Sequence, residues 1–514
     1  MFTTQSIRWL QQAQTLLPQL TERLFSPTSL VEPCADSDAF QGWRLQQIAP
    51  AAELVNRWMS GGDSVVLDFG EHLVGHLAFS VHLSGTQNAP VRLQFIFGET
   101  PAEVAEPFDP YRGNLSRAWL QDEVINLDEL PHAMQLPRRY AFRYLRIVRA
   151  DTEDDFLIQL RDISCHALTA ASFELPVQPT PAAFADIDRV SLRTLRNCMQ
   201  TVFEDGPKRD RRLWLGDLRL MAQTNYLTFR NFALVKRCLY LFAGTAGEDG
   251  MVAGSVYERP RPLYGNSLLT FACLFAPTLL DYAQASGDWE LARELWPVAR
   301  RQIDFALQYV QSDQLFIDPG TWWIFFDWCE ALDNQASMHA CIIYSLRALV
   351  VLADNLGLPQ EVAALQARIV QLVDAARTLL WDEEQGFFIS GVQRQCSWSS
   401  QVWMVLAGVL TPAEAAPLLQ RMLAQPDLVR PNGPYLYHHV MEALLSVGLV
   451  SEAQALLQEY WGGMLARGAT TFWEVFNPAD DRLSPYANHL VNSYCHAWSS
   501  TPSYLMRKYP ALIK

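Results

Sequence analysis

The sequence lacks long hydrophobic runs, a basic charge excess and a recognisable leader. No segment of the 514 residues reaches the roughly eighteen uncharged apolar residues of a membrane-spanning helix, so we expect no membrane segment. The formal net charge of −15 argues against nucleic acid and anionic membranes as partners, because both favour basic patches. The N-terminus has no basic segment followed by a continuous apolar run, which predicts an amphipathic helix and no signal peptide.

Cysteine pairs and cofactor motifs are also missing. The nine cysteines are dispersed and contain no C-x-x-C pair, which predicts reduced thiols and a cytoplasmic protein. There is no H-E-x-x-H zinc motif, no glycine-rich nucleotide loop and no G-x-S-x-G nucleophile elbow. We therefore expect neither a metal ion nor a cofactor.

The chain divides into a β-rich and an α-rich part. Between about 40 and 170, short runs such as SVVLDFG and VRLQFIFGE alternate with turns and predict an antiparallel β-sandwich. After the proline-rich FELPVQPTPAA, apolar residues recur at helical spacing in ten to twelve segments, which predicts an α/α toroid. The expected order is an N-terminal helix over residues 1–30, a β-sandwich over 31–170, a linker over 171–184 and a helical domain over 185–514.

One stretch, residues 204–217 (EDGPKRDRRLWLGD), is unusually dense in acids and cations for a chain that is only 18% charged. Unpaired charges are costly to bury, so a core helix does not tolerate this composition. The proline, glycines and tryptophan are equally untypical of a solvated helix face. We interpret the stretch as a loop that enters a helix and faces a polar cavity.

Aromatic residues and acids concentrate in three later segments, TWWIFFDWCEALDNQ, ATTFWEVFNP and NSYCHAWSSTPSYLM. Aromatic faces stack on sugar rings and carboxylates accept hydroxyl hydrogen bonds, so the combination is typical of a sugar site. Taken singly, most of these aromatics are more typical of a core. Glu474 differs because its neighbours are apolar, so its carboxylate must be paired, protonated or functional. The residues alone thus predict a glycosidase or a polysaccharide lyase.

The segment DGPKRDRRLWLGD resembles the signature of the α-L-rhamnosidases of glycoside hydrolase family 78. TTFWE and HAWSSTPSYL resemble later motifs of that family, and DFGEHLVGHLAF and RRYAFRYLRI resemble strands of its N-terminal β-domains. The resemblance implies an (α/α)6 barrel, an inverting mechanism and rhamnosides as substrates. The family's C-terminal β-domain has no counterpart in this sequence, which favours small rhamnosides over polymers.

By motif position, the resemblance implies Asp210 as general acid and Glu474 as general base. The predicted sugar-contacting residues are Asp205, Arg209, Trp214, Asp217, Tyr257, Trp328, Trp473, His496 and Trp498. Gly206 stands where the family usually has cysteine. A general acid must hold its proton, yet Asp210 is flanked by cations. We therefore expect those cations to point away or to pair with Asp205, Asp217 and other acids.

Two alternatives stay open from the sequence. One is another toroid glycosidase of the unsaturated uronyl hydrolase type, which needs a cationic subsite for a uronic acid. The other is a non-catalytic sugar-binding protein with a decayed site. The amphipathic N-terminal helix and the exposed sandwich faces are compatible with a homodimer.

Overall fold

The computed structural model describes residues 4–85, 90–151 and 156–514. The N-terminal part is a nine-stranded antiparallel sheet in the order β1-β9-β4-β8-β5-β6, in which β2 pairs with β3 and β4, and β7 pairs with β4. The strands are β1 (Thr21–Phe25), β2 (Ser29–Ala35), β3 (Trp43–Pro50), β4 (Ser64–Leu83), β5 (Val91–Gly98), β6 (Asp122–Leu127), β7 (His132–Gln135), β8 (Tyr140–Arg149) and β9 (Ile158–Thr169).

Alternation of side chains buries one face of these strands. In β5, Val91, Leu93 and Phe95 are fully buried, whereas the intervening Arg92 and Gln94 are not. A two-residue period of this kind is what a half-buried strand requires. The long strand β4 changes partners along its length: its first half pairs with β2 and β8, and its second half pairs mainly with β9 and β7. The sheet thereby folds around one apolar core.

The predicted N-terminal helix is shorter than residues 1–30. Helix α1 (Thr4–Thr15) packs against a helix of the second domain, and residues 21–25 already form β1 of the sheet. A short helix α2 (Pro101–Ala105) follows β5. The predicted linker contains no regular structure before residue 182.

The second domain is helical. Its helices are α3 (Ala182–Cys198), α4 (Leu215–Leu227), α5 (Phe232–Gly244), α6 (Leu269–Ser286), α7 (Trp289–Leu307), α8 (Gln335–Asn355), α9 (Pro359–Ala375), α10 (Trp398–Leu406), α11 (Pro412–Ala424), α12 (Pro434–Ser446), α13 (Val450–Ala466) and α14 (Pro502–Lys508). Helices α4, α6, α8, α10, α12 and α14 pack side by side in that order, and α14 packs against α4. The helices between them in sequence lie outside this inner ring.

Burial distinguishes the two sets of helices. Outer helix α9 buries Leu365, Ile369 and Leu372, a single stripe at helical spacing. Inner helix α8 is buried along most of its length. It is the one helix of the described residues that is long and apolar enough to cross a membrane, and 78% of its most apolar window is buried inside the protein.

Short strands shape the loops between helices. They are β10 (Leu213–Trp214), β11 (Ser255–Tyr257), β12 (Leu263–Tyr264), β13 (Trp381–Asp382), β14 (Phe387–Ser390) and β15 (Gln395–Cys396). The strand β10 pairs with β11 and leads directly into α4. The charge-dense stretch therefore ends at the N-terminus of an inner helix, where the acid and aromatic segments also gather.

Candidate active site

A cavity of about 260 Å³ lies at the N-terminal ends of α4 and α6. Nine of the predicted site residues line it: Asp205, Arg209, Asp210, Trp214, Asp217, Trp328, Glu474, His496 and Trp498. Sequence reasoning missed the remaining lining residues, which are Leu115, Trp119, Arg212, Asn266, Leu268, Phe271, Trp323, Phe325 and Tyr486. Leu115 and Trp119 come from the N-terminal domain, so both domains build the cavity.

Asp205 holds the charge-dense loop in a tight curl. Its carboxylate accepts the backbone N–H of Asp210 at 3.3 Å and that of Arg212 at 3.0 Å. Its own carbonyl accepts the N–H of Ala497 at 2.8 Å, which ties this loop to the last predicted motif. Burial, followed by the neighbouring Asp210 carboxyl, raises the pKa of Asp205 well above its ordinary value.

Asp210 faces the cavity, and its side chain is 17% exposed. Its Oδ1 lies 3.3 Å from Nη1 of Arg209. Within the described residues it makes no ion pair with Arg211 or Arg212, since Arg211 donates to the Lys208 carbonyl at 3.2 Å and Arg212 lies over an aromatic ring. Neither Arg211 nor Arg212 therefore draws the Asp210 carboxyl away from the cavity.

The expectation for the flanking cations was correct only in part. Lys208 pairs with acids, but these are Glu103 and Glu99 of the N-terminal domain. Arg209 does not point away from the site, because it bonds Glu474 and contacts Asp210. The reason is electrostatic, because the buried Glu474 carboxylate needs a cation and Arg209 bonds it.

Glu474 is only 2% exposed and has three donors around its carboxylate. Arg209 Nη2 and the Tyr486 hydroxyl donate to it, and the Ser493 N–H lies 3.3 Å from Oε2. Burial alone would raise the pKa of Glu474, but the charge of Arg209, then that of His496, outweighs it and the pKa is lowered. Glu474 is thus ionised at neutral pH, as a base must be.

His496 and Asp217 form a second buried pair. His496 Nε2 lies 3.1 Å from Asp217 Oδ1, and Asp217 stands in the first turn of α4. Burial would lower the pKa of His496, but the hydrogen bond to Asp217 and the charge of Glu474 outweigh it and raise the pKa. Burial raises the pKa of Asp217. These two residues therefore form a hydrogen-bonded pair at the cavity wall.

Two buried polar atoms of the lining have no hydrogen-bond partner among the described residues. They are His496 Nδ1 and Trp328 Nε1. Buried polar groups are rarely left unpaired, so such atoms in a cavity wall indicate a ligand with hydrogen-bonding groups. The apolar part of the cavity wall includes Phe325 and Trp498, whose rings stack with centroids 5.8 Å apart. A ligand with both hydroxyls and an apolar face, such as a sugar, fits this combination.

Two predicted contact residues do not line the cavity. Trp473 is buried and stacks on Phe40 with ring centroids 4.3 Å apart, whereas the next residue, Glu474, lines the cavity. Tyr257 lies beneath the Arg212 guanidinium, 4.1 Å from the ring centroid. Both support cavity residues from behind.

Side chains able to ligate a metal ion do not cluster in the described part of the chain. In residues 4–85, 90–151 and 156–514 there is no cluster of three or more His, Cys, Asp or Glu side chains able to hold an ion.

Comparison with known families accounts for this geometry. Residues 27–167 match the glycosyl hydrolase family 78 alpha-rhamnosidase N-terminal domain, and residues 181–509 match the bacterial alpha-L-rhamnosidase 6 hairpin glycosidase domain. The chain belongs to glycoside hydrolase family 78. The predicted family resemblance is thereby confirmed, as is the predicted order of an antiparallel β-domain followed by a helical domain.

Solved structures support the same family assignment. A rhamnosidase from Klebsiella oxytoca with rhamnose bound is 44% identical, with 98% of this chain and 99% of that chain covered and a TM-score of 0.96. As a family 78 enzyme, the protein is an α-L-rhamnosidase, a glycosidase. No curated protein matches the chain.

More distant family 78 structures share the fold alone. The rhamnosidase of Bacillus sp. GL1 is 22% identical, with 90% of this chain and 49% of that chain covered and a TM-score of 0.75. A Streptomyces avermitilis α-L-rhamnosidase complexed with L-rhamnose is 15% identical, with coverages of 96% and 44% and a TM-score of 0.66. This chain thus spans about half the length of these two proteins.

Proposed function

We propose that this family 78 rhamnosidase releases terminal α-L-rhamnose from small rhamnosides with inversion of configuration. Asp210 is the general acid and Glu474 the general base. The observation that carries the proposal is that one guanidinium, that of Arg209, contacts both carboxyl groups at the wall of one cavity.

The electrostatics support different roles for the two carboxyls. Glu474 has a lowered pKa and three donors, so it is held as the anion that accepts a proton from water. Asp210 has one long contact to Arg209 and lies beside Asp205. As the acid, Asp210 gives a proton to the glycosidic oxygen as the bond of that oxygen to the anomeric carbon breaks.

The spacing is compatible with inversion. Arg209 contacts both carboxyls, so their nearest oxygens lie at most roughly 8 Å apart. Inverting enzymes separate their carboxyls by about 6.5–9.5 Å to leave room for the attacking water. Water activated by Glu474 then attacks the face of the sugar opposite the leaving group.

The cavity supports a short substrate. Its wall combines the His496–Asp217 pair for sugar hydroxyls with the Trp498 ring for the apolar face. The Klebsiella oxytoca enzyme, which is 44% identical, holds rhamnose. A cavity of about 260 Å³ suits one sugar ring and part of an aglycone, which favours small rhamnosides over polymers.

The further expectations are also part of the proposal. The closed packing of α4 through α14 supports an (α/α)6 barrel. All nine cysteines are free thiols, which supports a cytoplasmic protein. The homodimer stays a prediction, which size measurement in solution tests.

Proton NMR of the first sugar released tests the mechanism. The purified protein is given a nitrophenyl α-L-rhamnoside, and the anomeric signals are followed before the product equilibrates. Inversion predicts β-L-rhamnose first. Initial α-L-rhamnose would overturn the inverting assignment. An unsaturated uronide and a rhamnose polymer, run alongside, test the substrate class; cleavage of either at the rate of the aryl rhamnoside would contradict it.

A further inference from the structure

We infer that a buried ion cluster shared between the two domains positions the catalytic loop. The cluster consists of Lys208 from the loop and of Glu99 and Glu103 from the N-terminal domain. The N-terminal sheet domain therefore helps to set the geometry of the active site. The inference rests on the roles proposed above for Asp210 and Glu474.

Lys208 has an unusual location for a lysine. It lies two residues before Asp210 and is only 1% exposed. Its Nζ donates to Glu103 Oε1 at 2.6 Å and lies 3.6 Å from Glu99 Oε2. A buried ammonium without partners is very costly, so the loop is stable only where Lys208 meets these carboxylates.

The two carboxylates are themselves fixed. Glu103 Oε2 accepts the backbone N–H groups of Glu99 at 2.8 Å and Thr100 at 2.9 Å, at the start of α2. Glu99 contacts His72 Nε2 at 2.8 Å and accepts the N–H of Tyr494 at 2.7 Å. Each of the two carboxylates is thus also held by donors other than Lys208, which makes the pair a fixed reference point.

The cluster reaches the catalytic groups through the next residue. Lys208 Nζ donates to the Leu490 carbonyl at 3.1 Å, and Arg209 Nε donates to the Val491 carbonyl at 3.0 Å. Two successive cationic side chains thus donate hydrogen bonds to two successive backbone carbonyls. The same Arg209 bonds Glu474, so a shift of Lys208 displaces the group that joins both catalytic carboxyls.

The N-terminal domain holds the start of the loop as well. Arg139 Nη2 lies 2.8 and 2.7 Å from the two oxygens of Glu204. The loop is therefore tied to the sheet domain on both sides of Gly206. A comparable group of ion pairs lies outside the loop. Glu71 of β4 lies 3.1 Å from Arg193 and 3.0 Å from Arg196, both of which belong to α3. It crosses the same domain boundary and offers a matched control.

The test uses the full-length protein and three substitutions: Lys208→Met, Glu103→Gln and the control Glu71→Gln. For an aryl rhamnoside we expect Lys208→Met and Glu103→Gln to lower kcat about 10²-fold, because small displacements of catalytic groups cost that much. KM should change less than about threefold, since the His496–Asp217 pair stays in place. Glu71→Gln should keep kcat within about twofold.

Thermal unfolding of each variant separates positioning from stability. A purely structural cluster would lower Tm and leave kcat per folded molecule unchanged, which overturns the inference. The double variant Lys208→Met/Glu103→Gln should be no slower than the slower single variant, because both act through one contact. Additive losses of kcat in the double variant would also contradict the inference.

Two further outcomes are distinguishable. If Lys208→Met does not fold, Glu103→Gln alone decides, since it keeps the side-chain shape and a wild-type kcat would overturn the inference. Asp210→Asn is assayed in parallel. If that variant keeps wild-type turnover, the proposed function fails whatever the cluster variants show. If it is inactive while Lys208→Met and Glu103→Gln are fully active, only the inference fails.

Discussion

Arg209 Nη1 lies 3.3 Å from Asp210 Oδ1, and Nη2 of the same guanidinium donates to Glu474 Oε2. A planar guanidinium with several donors is able to serve two carboxyls at once, which an ammonium cannot do with the same geometry. Its Nε is occupied by the Val491 carbonyl, and its plane lies over the Tyr486 ring at 4.1 Å. One side chain therefore contacts both of the carboxyls that we propose as catalytic.

Arg209→Met should shift the pH dependence of the enzyme. Although burial favours the protonated form of Glu474, Arg209 keeps the pKa of that carboxyl below its ordinary value. Removing the cation raises this pKa, so Glu474 is protonated at higher pH and the acid limb of the kcat profile moves to higher pH. A profile measured between pH 4 and 9 checks this. An unmoved acid limb would mean that Glu474 is not the base. Arg209→Lys should shift the limb less.

Glu474→Gln should remove the base without removing the sugar site. We expect kcat to fall about 10²–10⁴-fold, the usual contribution of a general base. Rhamnose affinity, measured by calorimetry, should change little, because the His496–Asp217 pair is intact. The Glu71→Gln variant is the control for loss of an ion-paired carboxylate away from the cavity. Turnover near that of the control would show that another group activates the water.

His496→Ala should weaken substrate binding more than it slows the chemistry. His496 bonds Asp217 and has a raised pKa, so it carries a charge-assisted donor at the cavity wall. Loss of such a hydrogen bond costs about 1.5–3 kcal/mol, which corresponds to a roughly 10- to 100-fold rise in KM. Initial-rate kinetics check the split. A wild-type KM would place the sugar elsewhere in the cavity.

Gly206 is required for space. A Cβ atom there would lie 2.3 Å from Ser493 Oγ and 2.4 Å from the Arg209 carbonyl oxygen. Gly206→Ala should therefore lower the free energy of unfolding by about 1–3 kcal/mol. The control is Gly462→Ala in α13, where a Cβ meets the flexible Gln458 side chain at 3.0 Å and alanine favours the helix. Equal stability of the two variants in urea would refute the steric account.

The local motifs explain why much of the site was predictable. Asp205, Asp210 and Asp217 lie in one loop and one helix turn, so their proximity follows from sequence spacing alone. Glu474 stood out because a carboxylate among apolar residues needs a partner. Its partner Arg209 was predicted to bind sugar, but the pairing itself was not, because contacts between distant segments leave no local pattern.

Residues outside those motifs were harder to identify. Leu115 and Trp119 line the cavity from the N-terminal domain, where nothing in the sequence marks them as close to the helical domain. Tyr486 lies in a polar loop and reaches Glu474 only in the folded chain. Trp473 was assigned to the wrong side, since a motif fixes a residue's position but not its direction.

The leaving-group dependence of Asp210→Asn tests the central claim most directly, because a general acid matters in proportion to how much its leaving group needs a proton. The variant and the wild type are compared on methyl α-L-rhamnoside and on a dinitrophenyl α-L-rhamnoside, with the Glu474→Gln variant alongside. The account predicts a loss of about 10³-fold or more on the methyl glycoside and a much smaller loss on the dinitrophenyl one. Glu474→Gln should lose activity on both. Equal losses of Asp210→Asn on the two substrates would contradict the assignment of Asp210 as the acid.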